Sequence, residues 1–341
     1  ASDKEGILYR GLRIKKIGSY HVTVDMREYE MREIAPLINK SLPKRISQKM
    51  EETTLSDKGQ SWYRAVVGKM IWVTCQVRVD QSCPVSQASS RLGKCTEADE
   101  VFVNRIMVDT IDNPITLHYY SLGPLTVPRI IRATCDAAFK RKDEKDDKAR
   151  GGSLLCIGTR GENKTVGLVG YGTSKIHRIC KSPTGAEVVT ICGTGDQMDN
   201  MYHTLMWFYP TCDPTGEILT DSYSVTSSQF KYCSEVTPNL TVDFALVRGR
   251  VRDGNMTLTH QLGEYMAADG LTKATTAAQA ALRNFLADNL LGEKGVEMSK
   301  IQRAVEKKLE SAYAAKKMSL ANLSAPYLEK LAQAANAESQ G

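Results

Sequence analysis

The chain has 341 residues, of which 42% are hydrophobic and 25% are charged, a composition ordinary for globular protein and long enough for two sizeable cores. Its formal net charge of +6 suits a polyanionic partner without requiring one. No apolar run is long enough to cross a bilayer and no secretory segment is recognisable, so we expect a soluble protein without membrane insertion.

The hydrophobic pattern predicts a regular series of elements from residue 130 onward. Apolar runs separated by glycine-rich turns predict three sequential antiparallel strands, over 130–137, 153–158 and 165–170. A long helix over 183–207 follows, with Ser182 as its N-cap and Pro183 at its first position. The remaining predicted elements are a strand near 217–220, a helix over 222–232, a helix over 239–252, a strand over 256–261 and a helix over 274–289.

Beyond residue 292 the composition changes to one rich in alanine, lysine and glutamate. Apolar residues recur there at a four-residue step, at Ile301, Val305, Leu309 and Tyr313. This pattern predicts an αα-hairpin tail over 292–341. The tail is expected either to pack on the preceding domain or to dock a protein partner.

The nine cysteines are scattered, with no Cys-x-x-Cys pair and no histidine at zinc-ligand spacing. No zinc site is predicted. A reducing intracellular compartment is the simplest interpretation, with the cytoplasm or nucleus favoured over an organelle.

Four acidic residues stand in short motifs along the predicted elements. Asp136 ends the first strand, Glu187 follows Ala186 in the first turns of the long helix, Asp221 opens a Thr-Asp-x-x-Ser motif, and Asp269 lies in Ala-Asp-Gly-Leu-Thr-Lys. Taken singly, each acid is most often a surface residue or a helix cap. Together and in this order they resemble the ribonuclease H domain of copia-type retrotransposon polyproteins, which the Ala-Asp-x-Leu-Thr-Lys signature closes.

The resemblance also covers the region upstream. Residues 63–68, Tyr-Arg-Ala-Val-Val-Gly, resemble the stretch that follows the reverse transcriptase palm in this family, and Arg78 and Asp80 keep two residues of its Thr-Arg-Pro-Asp continuation. The resemblance therefore implies a connection-like α/β region over 1–126 and a ribonuclease H-like domain over 127–291. That domain would have a mixed five-stranded sheet with helices on both faces.

The resemblance implies a two-metal phosphodiesterase acting on RNA/DNA hybrids. Two magnesium or manganese ions would be held by carboxylates, with Asp136 bridging both, Glu187 and Asp221 on the leaving side, and Asp269 on the nucleophile side. The histidine that some ribonucleases H carry near the last acid has no counterpart, since His260 is predicted within a strand.

Two further predictions concern nucleic acid. Lys175, His177, Arg178 and Lys181 lead into the Glu187 helix, where they could contact the phosphates of a hybrid, although a plain charged surface is an equally good interpretation. Polymerase activity is not expected, because the one adjacent aspartate pair, Asp146-Asp147, lies in the charged run 140–148 and not on an apolar hairpin.

Two functions remain open at this point. One is a ribonuclease H-like endonuclease of retrotransposon origin. The alternative is a domesticated retroelement fragment that serves a host assembly as a noncatalytic structural or nucleic-acid-binding subunit.

Overall fold

The computed structural model describes residues 6–124, 127–139, 149–160, 165–178, 180, 182–212, 214–228, 241–254 and 256–288. Lys181, the charged run 140–148 and the predicted tail over 292–341 lie outside the described residues. Those predictions therefore stay predictions. Among the described helices, none combines the length and the apolar character that a bilayer crossing requires.

An antiparallel four-stranded sheet, ordered β1-β2-β3-β4, forms most of the N-terminal region together with helices. Its strands are β1 Ile7–Tyr9, β2 Leu12–Gly18, β3 His21–Asp25 and β4 Thr116–Tyr120. The chain between β3 and β4 is helical, with α1 Arg27–Tyr29, a π-helical turn Glu30–Ile34, 3-10 turns Ala35–Leu37 and Val79–Gln81, α2 Gln48–Glu52, α3 Asp57–Gln76, α4 Ser82–Ser89 and α5 Glu97–Asp112.

The long helices of this region begin at residues that cap them. The Ser56 side chain accepts a hydrogen bond from the backbone of Gly59 at the start of α3. At α5, Thr96 and Asp99 form a reciprocal capping box, which satisfies two backbone N–H groups that the helix itself cannot pair.

A mixed five-stranded sheet, ordered β7-β6-β5-β8-β9, forms the second half. Its strands are β5 Arg129–Ala138, β6 Arg150–Thr159, β7 Thr165–Lys175, β8 Thr215–Thr220 and β9 Met256–His260. The first three pair antiparallel, whereas β8 and β9 continue the sheet in parallel with β5. The helices are α6 Pro183–Phe208, α7 Tyr223–Ser228, α8 Thr241–Arg252, α9 Asp269–Thr272 and α10 Thr276–Asp288, with a 3-10 turn Gly263–Tyr265.

The two faces of this sheet are covered by different helices, because successive side chains of a strand point to opposite sides. On one face, Ile131 and Ala133 pack with Val188 of α6 and Phe244 of α8. On the other face, a larger core includes Leu154 and Cys156 of β6, Leu271 of α9, Phe285 of α10, and apolar residues of α3, α4 and α5. One continuous core thus joins the five-stranded sheet to the N-terminal region.

A buried ionic network also joins the two regions. Arg78, which is fully buried, donates two hydrogen bonds to Asp80, of 2.9 and 2.8 Å, and a third, of 2.6 Å, to the backbone of Thr110. Arg283 of α10 reaches the same Asp80 carboxylate at 3.0 Å and also pairs with Asp109 of α5. The Asp80 carboxylate, held by Arg78, therefore attaches α10 to the N-terminal region through Arg283.

The order of strands and helices confirms the predicted ribonuclease H-like fold, a mixed five-stranded sheet with helices on both faces and an α/β region before it. Strands β5, β6, β7 and β8 are all longer than predicted, and β6 and β7 extend the furthest. Gly151 and Gly152 read as a turn in sequence but are paired positions of β6, and β7 runs on from Gly170 to Lys175. The predicted division at residue 126 stays a prediction.

Candidate active site

Asp136 and Asp221 come together because β5 and β8 run parallel and in register. Thr134 of β5 is opposite Leu219 of β8, so the positions two residues further on, Asp136 and Asp221, lie side by side at the carboxyl ends of the two strands. The register alone therefore places two of the predicted acids at one edge of the sheet.

Glu187 reaches the same edge from the first turns of α6. That helix begins at Ser182, whose hydroxyl accepts a hydrogen bond from the Gly185 backbone at 3.1 Å. One carboxylate oxygen of Glu187 then accepts a hydrogen bond of 3.3 Å from the backbone N–H of Ala137 in β5. The Glu187 side chain is thereby fixed against the strand that carries Asp136.

Asp136, Glu187 and Asp221 each offer one carboxylate oxygen, and these three atoms lie within 4.8 Å of one another. Burial, and then the charges of Asp136 and Asp221, raise the pKa of Glu187 to about 8. Burial and the Asp136 charge also raise the pKa of Asp221. These carboxylates are close, poorly solvated and mutually repulsive, which is the electrostatic situation that a bound cation relieves.

Asp269, the fourth predicted acid, approaches Asp136 from a different side. It opens the short helix α9, which packs on β5 and β6. Burial and the charge of Asp136, together with a hydrogen bond between the two carboxyl groups, raise the pKa of Asp269 to about 6, although Lys273 opposes this shift. The structure therefore brings all four predicted acids to one site, with Asp136 at its centre.

Two residues of the same motif contribute to the site although the sequence assigned them no role. The Thr272 hydroxyl donates a short hydrogen bond to the Asp136 carboxylate. The Lys273 ammonium donates to Asp269 at 2.9 Å and lies 3.6 Å from an oxygen of Asp136. Their place in the Ala-Asp-Gly-Leu-Thr-Lys motif, three and four residues after Asp269, is the signal that could have identified them.

Glycine at position 152 allows α9 to come this close. A Cβ atom on Gly152 would lie 2.6 Å from Cβ of Leu271 and 3.0 Å from Cγ2 of Thr272, so any larger residue would push α9 away from β6. On the next strand, the hydroxyl of Thr173 donates a 2.5 Å hydrogen bond to the Leu271 carbonyl. The position of α9 is therefore set by β6 and β7 together.

His260 ends β9, as predicted, and contacts the backbone of the site instead of projecting from a loop. Its Nε2 atom lies 3.1 Å from the carbonyl oxygen of Asp221. The ring of Tyr223 packs edge-on against His260, with the ring centroids 5.9 Å apart. This contact supports the turn that carries Asp221, and no local pattern in the sequence predicts it.

The predicted basic residues occupy the end of β7 and the segment after it. His177 and Arg178 are exposed and Lys175 is half-buried. Arg178 forms a 2.8 Å ion pair with Asp243, a buried residue in the first turn of α8. This pair attaches the basic segment to α8, so Arg178 has a structural partner in addition to its predicted contact with phosphate.

The residues present fit a divalent metal ion. The donor set consists of carboxylate oxygens, the ligands that magnesium and manganese prefer. The second carboxylate oxygen of Glu187 is buried and accepts no hydrogen bond from the described part of the chain, so it has capacity for a ligand bond. Asp136, Glu187 and Asp221 are the residues that would hold such an ion.

The sequence matches no protein-family model and no curated protein. Among solved structures, the chain is similar to LC11-RNase H1, captured in complex with an RNA/DNA hybrid, with 17% identity over 41% of this chain and 92% of that one and a TM-score of 0.31. RNase H1 from the halophilic archaeon Halobacterium salinarum NRC-1 gives 19% identity, 47% and 98% coverage, and a TM-score of 0.30.

The foamy viral protease-reverse transcriptase, in complex with double-stranded DNA, is similar over 75% of this chain, with 11% identity and a TM-score of 0.42. The matched region spans 45% of that protein. At such identities and TM-scores, these likenesses decide neither the family nor the activity of this chain. The strand order and register of the five-stranded sheet are those of a ribonuclease H-like fold.

Proposed function

We propose that this chain is a divalent-metal-dependent endonuclease of the ribonuclease H type, which hydrolyses the RNA strand of RNA/DNA hybrids. The observation that supports the proposal is the convergence of Asp136, Glu187 and Asp221. One carboxylate oxygen from each residue lies within 4.8 Å of the other two, and among the described residues no other group of acids, histidines or cysteines is arranged in this way. Buried carboxylates repel one another and therefore destabilise the folded protein, unless a bound cation compensates their charge.

The chemistry that magnesium supplies when bound by such carboxylates is activation of a water molecule and stabilisation of the leaving oxygen of a phosphodiester. The residues of the chain hold the ligand groups in place. Thr272 fixes the Asp136 carboxylate, the Ala137 backbone fixes Glu187, and His260 contacts the backbone of Asp221. Ligand groups held in place in this way favour catalysis, because the side chains do not have to rearrange when the reaction occurs.

The choice of an RNA/DNA hybrid and the copia-type retrotransposon origin are parts of the proposal that the sequence motifs support. Both parts of the proposal are based on the four acids and the short motifs that contain them, above all Ala-Asp-Gly-Leu-Thr-Lys at 268–273. Lys175, His177 and Arg178 lie where β7 leads towards α6, and they are proposed to contact the phosphates of the hybrid.

Cleavage of end-labelled nucleic acids tests the proposal. The purified chain is incubated with magnesium and an RNA/DNA hybrid, a DNA duplex or single-stranded RNA. We expect cleavage of the hybrid alone, in its RNA strand, and a loss of at least about a thousandfold in Asp136→Asn and Asp221→Asn.

Asp196→Asn is a matched control for these variants. Asp196 lies on α6, the helix of Glu187, but its side chain is 71% exposed and pairs with Arg250, which also keeps Asp199. This variant should cleave like the wild type. A folded wild type that cleaves no substrate would refute the nuclease proposal and favour the noncatalytic alternative, whereas cleavage that survives Asp136→Asn would refute the assignment of the site.

A further inference from the structure

Lys273 carries a positive charge into the acidic site. Its ammonium nitrogen lies 2.9 Å from an oxygen of Asp269 and 3.6 Å from an oxygen of Asp136. These two aspartates therefore share one cation that is part of the chain. The Lys273 side chain is 40% exposed, so it is only partly shielded from solvent.

The backbone around Lys273 is held from several directions, which distinguishes it from an ordinary surface lysine. Its N–H donates to the carbonyl of Asp269 at 2.8 Å, and its own carbonyl accepts a 3.2 Å hydrogen bond from the Gln279 side chain of α10. The same Gln279 amide donates to Gly270 at 2.8 Å. Thr173 also donates to the Leu271 carbonyl, so the backbone of the turn that carries Lys273 is held from both sides.

The carboxylates of the site fall into two groups that share Asp136. Glu187 and Asp221 lie with Asp136 in the three-oxygen cluster. Asp269 lies on the side of Asp136 that Lys273 occupies. A second metal ion held between Asp136 and Asp269 would have to displace the ammonium group from both partners, and like charges that close repel each other strongly.

We propose that Lys273 replaces one of the two metal ions, so that the site binds a single divalent cation at Asp136, Glu187 and Asp221. This inference rests on the proposed function and refines it, because two ions are otherwise expected for a site with four carboxylates. Lys273 acts as a positioning residue. Its charge pairs with Asp136 and Asp269 and so holds the two carboxylates in place.

Metal stoichiometry is the deciding measurement. Manganese binding to the full chain is followed by isothermal titration calorimetry and, in parallel, by the electron paramagnetic resonance signal of free Mn²⁺, up to high millimolar metal. We expect one bound ion in the wild type and in Lys273→Arg, which keeps the charge. We expect two in Lys273→Gln, where Asp136 and Asp269 become available to a second ion.

Hybrid cleavage gives a second readout. The wild type should show a simple hyperbolic dependence on magnesium. Lys273→Gln should be slower by about 100-fold at low magnesium, the size of effect seen when one preorganised charge-stabilising donor is removed, and should recover with a sigmoidal dependence at high magnesium. Lys69→Gln is the matched control, because Lys69 pairs with Glu33 in the N-terminal region at 2.8 Å, and it should match the wild type.

The outcomes separate the inference from the proposed function. Two ions in the wild type would overturn the role of Lys273 while leaving the nuclease proposal intact, and this result needs no variant to fold. A single ion in a folded Lys273→Gln would also overturn it. Absence of any bound ion together with absence of cleavage would overturn the nuclease proposal itself.

Discussion

Replacing Glu187 by glutamine should stabilise the metal-free protein while abolishing its proposed activity. Glu187 is 8% exposed as a whole residue, and burial together with the neighbouring aspartate charges raises its pKa from 4.5 to about 8. At about 1.4 kcal/mol per pH unit, this corresponds to a ceiling of about 5 kcal/mol of destabilisation at pH 8. Because a buried glutamine still loses solvation, we expect a net gain of about 2 kcal/mol.

The sign of the pH dependence follows from the direction of the shift. A carboxyl group whose pKa is higher in the folded state binds a proton on folding, so its unfavourable contribution grows as pH rises from 4.5 to about 8. The stability difference between Glu187→Gln and the wild type should therefore be largest near pH 8. It should become small near pH 4.5 and disappear well below it, where the glutamic acid is protonated in both the folded and the unfolded state.

Thermal unfolding followed by circular dichroism in EDTA, at several pH values between 4.5 and 8, measures this difference. A gain of about 2 kcal/mol corresponds to a rise in Tm of about 3 °C for a chain of 341 residues. Glu51→Gln, at an exposed position of α2, is the control and should change Tm little at any pH. Added magnesium should raise Tm of the wild type and not of Glu187→Gln. A variant that is no more stable at pH 8, or whose advantage grows towards low pH, would refute the electrostatic reasoning.

Two substitutions outside the carboxylates test how the site is supported. Gly152→Ala should push α9 away from the sheet, cost about 1–3 kcal/mol of stability, and lower both Tm and hybrid cleavage. Gly172→Ala is the control and should be tolerated, because a Cβ there meets no atom within 4 Å. Equal Tm values for the two variants would contradict the packing argument. Arg283→Met removes one cation from the buried Asp80 and should cost about 3 kcal/mol in urea unfolding, a figure that a Lys69→Met control should not approach.

The strands and helices of the second half could be predicted because each depends on a local pattern. Apolar runs of strand length and the Ser182-Pro183 helix start are visible in a window of a few residues. Asp136 and Asp221 could be predicted for a similar reason, because each lies near the end of a predicted strand, where metal-binding acids are often found. The prediction of a turn at Gly151 and Gly152 is wrong because a turn and a close approach to another element both favour glycine, and only the position of Leu271 distinguishes the two at Gly152.

The parts of the site that escaped prediction are contacts between residues far apart in the chain. Whether Arg178 faces phosphate or another side chain depends on Asp243, 65 positions away. The roles of Thr272 and Lys273 depend on how α9 meets Asp136, across more than 130 residues. The residues next to a basic or hydroxyl side chain in the sequence do not indicate which distant residue it contacts. Its role can therefore be assigned only when the strand register and the helix packing are known.

The domain boundary predicted at residue 126 can be tested by truncation. The larger core contains Leu154, Cys156, Leu168 and Phe285 from one side of that boundary together with buried residues of α3 and α5 from the other. Removing residues 1–126 would expose these side chains. At about 1.5–3 kcal/mol for each large apolar side chain, the loss approaches the 5–15 kcal/mol that typically stabilises a whole domain.

Polar contacts add to this dependence. Arg150 of β6 donates a 2.6 Å hydrogen bond to Ser86 of α4, and Tyr171 of β7 donates one of 2.5 Å to the Thr74 carbonyl of α3. We therefore expect the 127–292 fragment to lack a cooperative unfolding transition and hybrid cleavage, and to regain both when residues 1–126 are coexpressed as a separate chain. A fragment that unfolds cooperatively and cleaves hybrids alone would show that the boundary separates two independently folding domains, and that the shared core is dispensable for the site.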